Sequence, residues 1–223
     1  MGDALLVGPA VLLAVVLLSL QDRAAMRPAL AWLACFAAAC ALVAASKIAF
    51  YGWGIGVRAW NLTCFSGHTV LALGAWPVLL ALLVPPRHRR GRAAMAVAGI
   101  ALGLLVGASR VALHAHPPAE VLVGVVPGGL AAAVGLHGLR RRDLAAGKAL
   151  LLGAGLALLL AWGSQRLLPR LPTEQWFQRV AVELSGREKP HARPRWLQSP
   201  PPQARRAPSR KHGEIPESPR HGM

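Results

Sequence analysis

Acidic residues are what this chain has least of. Asp and Glu number 9 in 223 residues, against 25 Lys and Arg, for a formal charge of +16. Charged residues of both signs make up 15% of the chain, where a soluble domain carries about 25%. With 54% hydrophobic residues, that shortage excludes an ordinary soluble globule. Cysteine is also scarce. Three cysteines cannot all pair with one another, and they have no metal-ligand spacing. Cys35 and Cys40 lie in apolar runs, where cysteine behaves as a small hydrophobe, and only Cys64 lies near polar residues. The redox compartment is therefore not legible from them. No internal repeat is evident.

Long apolar runs are what the chain does have. A transmembrane helix needs about 20 apolar residues. Six runs approach that length: Ala4 to Leu20, Ala29 to Ala45, Thr69 to Val84, Ala93 to Ser109, Glu120 to Leu139, and Ala149 to about Gln165. The predicted fold is an all-α, polytopic membrane helical bundle of about six transmembrane helices. The first run is read as a retained anchor. Asp3 is the only charge ahead of it, and no clean small-residue cleavage site follows. Pro9, Pro77 and Pro127 fall inside runs; membrane helices tolerate proline where neighbours satisfy the freed backbone.

Short loops set the orientation. Arg87, Arg89, Arg90 and Arg92 follow the third run, and Arg140, Arg141, Arg142 and Lys148 follow the fifth. Both loops read as cytoplasmic by the positive-inside rule. Residues 46–68 and 110–119 then share the opposite, extracytoplasmic side. The expected location is an integral protein of the cell inner membrane with its site facing outward. Six crossings put both termini outside. A last run that does not span would put the tail inside instead.

The expected division is a transmembrane domain over 1–168 and a Pro/Arg-rich, mostly disordered tail over 169–223. From Gly163 onward the chain holds 12 Lys and Arg against 5 Glu, and it is Pro-rich from Pro190. Such composition cannot bury enough apolar surface to fold alone. Thr173 to Leu184 is a candidate amphipathic helix, with Trp176, Phe177 and Val180 on one side. Attraction to anionic lipid head groups accounts for the tail's basic charge. The excess of +16 does not point to nucleic acid, because it is spread over membrane-flanking loops and this tail.

The outer loops carry charges that a membrane makes costly. Ionisable groups cost about 2.5 to 3.5 kcal/mol at a helix centre, and less near the interface. Lys47, Arg58, Arg110, Glu120, His68, His114 and His116 all fall at helix ends or in the two outer loops. Three cations against one anion ask for an anionic ligand. Ser66-Gly67-His68 opens the third run, where free helix N–H groups favour phosphate; simple capping by Ser66 is the alternative. In the second loop, Pro117 and Pro118 fit a helix's first turn. Glu120 lies close enough to reach back to His116. A carboxylate on one ring nitrogen fixes the tautomer and frees the other nitrogen to act as nucleophile or base. A histidine packed at a helix end against a salt-bridged glutamate is the alternative. His114 competes for the nucleophile's role and is read as facing elsewhere.

These residues resemble the membrane-bound type 2 phosphatidic acid phosphatase family, lipid phosphate phosphatases related to vanadium haloperoxidases. Its motifs are Lys-x6-Arg-Pro, Pro-Ser-Gly-His, and Ser-Arg-x5-His-x3-Asp. Ser109-Arg110, His116 and Glu120 keep the third spacing, with Glu in place of Asp. Phe65-Ser66-Gly67-His68 is the second, with Phe in place of Pro. The first departs: Arg58 follows Lys47 after ten residues, and no Pro follows it. The resemblance spans about Lys47 to Gly124. It implies that His116 attacks phosphorus, Glu120 steadies the imidazole, and His68 protonates the leaving oxygen and then activates water. Lys47, Arg58, Ser66, Gly67 and Arg110 would hold the phosphate oxygens.

No metal and no cofactor are expected, since one carboxylate cannot build the usual metal–phosphate cage. The expected partners are membrane lipids and a lipid phosphate or diphosphate substrate: polyprenyl diphosphate, a phosphatidate-type lipid or lipid A. Two other functions stay open. One is phosphoryl transfer from lipid to lipid. The other is a non-catalytic membrane protein, an anion- or lipid-binding scaffold or a transporter.

Overall fold

The computed structural model describes residues 4–21, 23–141 and 173–198. Among them are seven α-helices and no strand. They are α1 (Ala4–Gln21), α2 (Arg23–Trp53), α3 (Gly67–Leu82), α4 (Arg89–Ala112), α5 (Pro118–Arg141), α6 (Thr173–Ser185) and α7 (Arg193–Gln198). A 3-10 turn covers Arg58–Trp60, closed by a single bridge between Val57 and Leu62. The chain is thus an all-α helical membrane bundle. The sixth run, 149–165, lies outside the described residues.

Among the described residues three helices, α2, α4 and α5, are long and apolar enough to cross a membrane. Two of the expected spans are shorter apolar helices, Val7–Leu20 within α1 and Gly67–Leu82. The reason is visible at α3. Eleven of its sixteen residues are buried, so protein rather than lipid surrounds it. Lipid-facing character falls to its neighbours, which leave Val97, Leu104 and Leu105 of α4 and Leu122, Val126 and Leu130 of α5 exposed. Apolar side chains on the outside of a bundle are what a hydrocarbon solvent accepts.

Small residues let α3 sit between α4 and α5. The buried residues of α4 are Ala96, Gly99, Gly103 and Gly107, one face at helical spacing. A Cβ on Gly99 would stand 2.5 Å from Pro77 Cα, and one on Gly103 would stand 2.7 Å from Leu73 Cδ2. On α5, a Cβ at Gly128 would meet the Val70 carbonyl at 2.9 Å and one at Gly135 would meet Val78 at 2.6 Å. Backbone therefore lies directly on backbone, the arrangement that small residues allow in a membrane. Pro77 removes a donor from the α3 ladder. Nearby, the Gly74 carbonyl accepts a bond of 3.0 Å from the indole of buried Trp32 in α2.

The alternation of direction brings the C-terminal ends of α2 and α4 and the N-terminal ends of α3 and α5 together. The Ser66 amide donates to the Glu120 carbonyl at 3.0 Å, and the Phe65 amide to Ser46 Oγ at 3.1 Å. Both predicted outer loops therefore meet at one end of the bundle. At about 1.5 Å per residue, the 31 residues of α2 run about 46 Å, more than the roughly 30 Å of bilayer hydrocarbon. Its last turns, with Lys47 and Tyr51, have length to spare.

Within the expected tail, residues 173–198 are described, and the rest of 169–223 lies outside the described residues. The candidate amphipathic helix forms as α6 and packs on α2. Ala181 is fully buried, with its carbonyl 3.1 Å from where a Gly52 Cβ would be. Composition suggested a solvated tail because α6 cannot fold alone; it folds by using α2 as its other half.

Gly99→Ala should force α3 and α4 apart and destabilise the bundle by about 1 to 3 kcal/mol. Gly129→Ala, with nothing within 4 Å of the added carbon, should be close to neutral. Thermal unfolding in detergent checks the contrast, and equal effects would contradict this packing.

Candidate active site

His116 is presented by a tight connection. The amides of Ala115 and His116 both donate to the Arg110 carbonyl, at 2.9 and 3.2 Å, folding the chain back over the end of α4. His114 turns that corner with φ 53, in the left-handed region, and is exposed. Pro117 precedes α5, Pro118 starts it, and Glu120 falls in its first turn.

Glu120 is completely buried. Its Oε2 lies 2.6 Å from Nδ1 of His116. Its Oε1 accepts from the amides of Thr63 at 3.0 Å and Cys64 at 3.2 Å, from the Thr63 hydroxyl, and from the Arg193 guanidinium at 2.6 Å. A buried carboxylate needs this many donors, since desolvating it alone costs several kcal/mol. With Nδ1–H donated to Oε2, the tautomer leaves Nε2 as the free nitrogen.

His116 opens onto a cavity of about 680 Å³ that Lys47, Tyr51, Cys64, Glu174 and Arg193 also line. Lys47 pairs with Glu174 and lies 5.4 Å from the centre of the Phe177 ring. The Tyr51 hydroxyl donates to the other Glu174 oxygen. Burial raises the Glu174 pKa, but the bonds from Lys47 and Tyr51 outweigh it and hold the carboxyl below its ordinary value. Burial, aided by the nearby Glu120 charge, pushes the Cys64 thiol up to about 11.

The predicted residues fall into three groups. His116 is bonded to Glu120, and Lys47 lines the same cavity as His116. Ser66, Gly67 and His68 open α3 at the same end, tied to α5 by the Ser66 amide. Ser66 holds the N-cap position, yet its buried hydroxyl makes no capping bond; it accepts from Thr69 at 2.9 Å. Arg110 is half-buried at the end of α4, with its guanidinium 3.4 Å from Ser109 Oγ. Of the predicted residues, Lys47 and His116 line the cavity; Ser66, Gly67, His68 and Arg110 do not, and neither does Arg58. Its guanidinium lies 5.1 Å above the Trp196 ring in α7.

Sequence reasoning missed Thr63, Glu174 and Arg193. Arg193 lies in a basic, Pro-rich stretch whose composition matches a solvated tail. The available signal was Trp196 three residues on, an aromatic out of place in such a tail. Trp196 is buried, meets Phe50 edge-on at 5.5 Å, and donates its indole N–H to the Gly54 carbonyl at 2.7 Å.

Cys64, His116 and Glu120 place ligand atoms within 4.8 Å of one another. The donor set suits a metal poorly. Both Glu120 oxygens are engaged, an arginine is already bound to one of them, and the thiol stays protonated at neutral pH.

Residues 58–144 match the family model described as PAP2 superfamily. That stretch is similar to the PAP2 superfamily, the family the motifs resemble. It holds Ser66, Gly67, His68, Arg110, His116 and Glu120; Lys47 precedes it, and Glu174 and Arg193 follow it. The chain is also 40% identical over 103 residues to a Klebsiella pneumoniae protein described as an uncharacterized 22.5 kDa protein in the cps region. That match covers 46% of this chain and 49% of the relative, so the chain spans about half of the relative's length. No solved structure matches.

Because the folded carboxyl of Glu174 sits below its ordinary 4.5, its contribution to docking α6 is complete above about pH 4.5 and fades as pH falls through the lower folded value. Amide exchange across 173–185, corrected for intrinsic rates, should show protection falling in acid. Glu174→Gln should flatten that dependence. The same fall in the variant would contradict this role.

Proposed function

We propose that the protein is an integral-membrane phosphatase that hydrolyses a lipid phosphate or diphosphate through a phosphohistidine. The observation that carries this reading is the 2.6 Å bond from Nδ1 of His116 to a fully buried carboxylate, beside a cavity that holds Lys47. The PAP2 superfamily match over 58–144 supports phosphatase-type chemistry on phosphate esters.

In the first step, Nε2 of His116 attacks the terminal phosphorus, the P–N bond forms, and the P–O bond to the lipid, or in a diphosphate to the lipid monophosphate, breaks. His68 gives its proton to the departing lipid oxygen. Glu120 balances the charge that develops on the imidazole ring. In the second step, water loses a proton to His68, its oxygen attacks phosphorus, and the P–N bond breaks to release inorganic phosphate. Lys47, Arg110, Ser66 and the Gly67 amide are assigned to the phosphate oxygens, where charge is spread during transfer. Arg58 is left out of this set because its guanidinium stacks on Trp196. Lys47 must exchange the Glu174 carboxylate for phosphate when substrate enters.

The exposed apolar faces of α4 and α5 suit a substrate that arrives within the bilayer. The site is assigned to the extracytoplasmic side of the inner membrane, with the arginines between α3 and α4 facing the cytoplasm. A polyprenyl diphosphate is the substrate to test first, then phosphatidate-type lipids and lipid A.

Purified protein in detergent with chelator should release phosphate from a member of such a panel. His116→Ala should lower turnover about a thousandfold or more, and Glu120→Gln about a hundredfold or more, as loss of a nucleophile and of its orienting carboxylate do elsewhere. Wild-type turnover in the His116→Ala protein would overturn the mechanism. A requirement for an acceptor lipid would reassign the reaction as phosphoryl transfer.

A further inference from the structure

The stretch that matches the family contains Glu120 and His116, yet the guanidinium on Glu120 comes from Arg193, well beyond it. Arg193 is held on both sides. Two residues before it, the His191 amide donates to the Tyr51 carbonyl at 2.9 Å. Three residues after it, Trp196 is buried and bonded to Gly54. Gly54 has φ +69, and a Cβ there would stand 3.1 Å from the His191 ring. A Cβ on Gly56 would stand 3.0 Å from Trp196. The loop after α2 is thus shaped to receive residues 191–196. The Arg58 guanidinium lies over Trp196, the outer anchor of that segment.

We propose that Arg193 is a positioning residue for the reaction above: from the C-terminal segment it fixes the charge and orientation of Glu120, and through Glu120 it sets His116. This rests on the phosphatase reading. The Arg193 Nη2 bonds both the Thr63 hydroxyl, at 2.8 Å, and Oε1 of Glu120, at 2.6 Å. With the Thr63 and Cys64 amides on the same oxygen, Oε1 is saturated, and Oε2 is left to the imidazole. The carboxylate cannot rotate without breaking several bonds at once. Arg193 is also the one full cation among the groups bonded to Glu120 in the described residues. Lys47, Tyr51, Cys64, Glu174 and His191 are the other titratable groups lining the cavity. Of these, Lys47 and Tyr51 are paired with Glu174 rather than with Glu120.

The test uses the full chain as wild type, Arg193→Gln, Arg193→Lys, Glu120→Gln and the Arg193→Gln/Glu120→Gln double variant. Arg193→Gln should lower kcat about 10- to 100-fold, the scale of one charge-assisted hydrogen bond, with KM little changed. Removing a cation eases protonation of the Glu120–His116 pair, so the acid limb of the pH–rate profile should move to higher pH. Arg193→Lys should regain most of the rate and the wild-type limb. In the Glu120→Gln background, Arg193→Gln should cost little more. An equal loss in both backgrounds, or an unmoved acid limb, overturns the proposal and leaves Arg193 as a tail anchor.

Melting temperatures of wild type, both Gln variants and the double variant report the contact without any activity. Coupled shifts support the Arg193–Glu120 link, and additive shifts refute it. A wild type that releases no phosphate from any lipid would instead sink the phosphatase reading, while this melting cycle still decides the link.

Discussion

A single buried carboxylate organises the functional end of this bundle. Glu120 is the one acidic residue between Arg23 and Arg142, and it is out of contact with solvent. Removing one partner from a buried ion pair costs about 3 to 5 kcal/mol, so everything around Glu120 must supply donors. The loop after α2 supplies two amides and a hydroxyl, the C-terminal segment supplies a guanidinium, and the α4–α5 connection supplies an imidazole. Each comes from a different part of the sequence. Satisfying this carboxylate therefore ties three segments together at one end of the membrane bundle.

Satisfying Glu120 also prepares chemistry. An imidazole held through Nδ1 keeps a defined tautomer and presents Nε2 outward. Lys47 gives the cavity a cation, and its pairing with Glu174 means that the pocket already holds a carboxylate where an anion is wanted. On the proposed reading, the Glu174 carboxylate stands where a substrate phosphate would pair with Lys47. Glycine stripes on α4 and α5 make this geometry possible. They let α3 approach closely enough for the Ser66 amide to reach the Glu120 carbonyl.

Much of this was legible in the sequence, for identifiable physical reasons. Long apolar runs announced the bundle because lipid forces that pattern on any helix it surrounds. The spacing of His116 and Glu120 announced the dyad because the two lie one helical turn apart. α3 looked like a full span but is a short helix enclosed by protein, a difference that depends on neighbours and not on its own composition. Arg58 read as a phosphate ligand from its place after Lys47; nothing in the sequence announced that its guanidinium lies over the Trp196 ring. Arg193 and Glu174 were illegible. They lie more than 50 residues from Glu120 and 100 from Lys47 along the chain; Arg193 sits in a stretch that reads as solvated tail, and Glu174 in a candidate amphipathic helix with nothing to name its partner. Long-range pairing of this kind leaves no periodic trace.

The central claim is that the imidazole fixed by Glu120 becomes covalently phosphorylated. The most direct measurement is rapid acid-free quenching of the protein with a turned-over lipid phosphate, followed by mass spectrometry of the peptides containing residues 59–87 and 111–140. The account predicts an acid-labile, base-stable phosphate on His116, formed no more slowly than turnover. A phosphate found on His68, His114 or Ser66, or turnover with no phosphoenzyme at any time point, would contradict it.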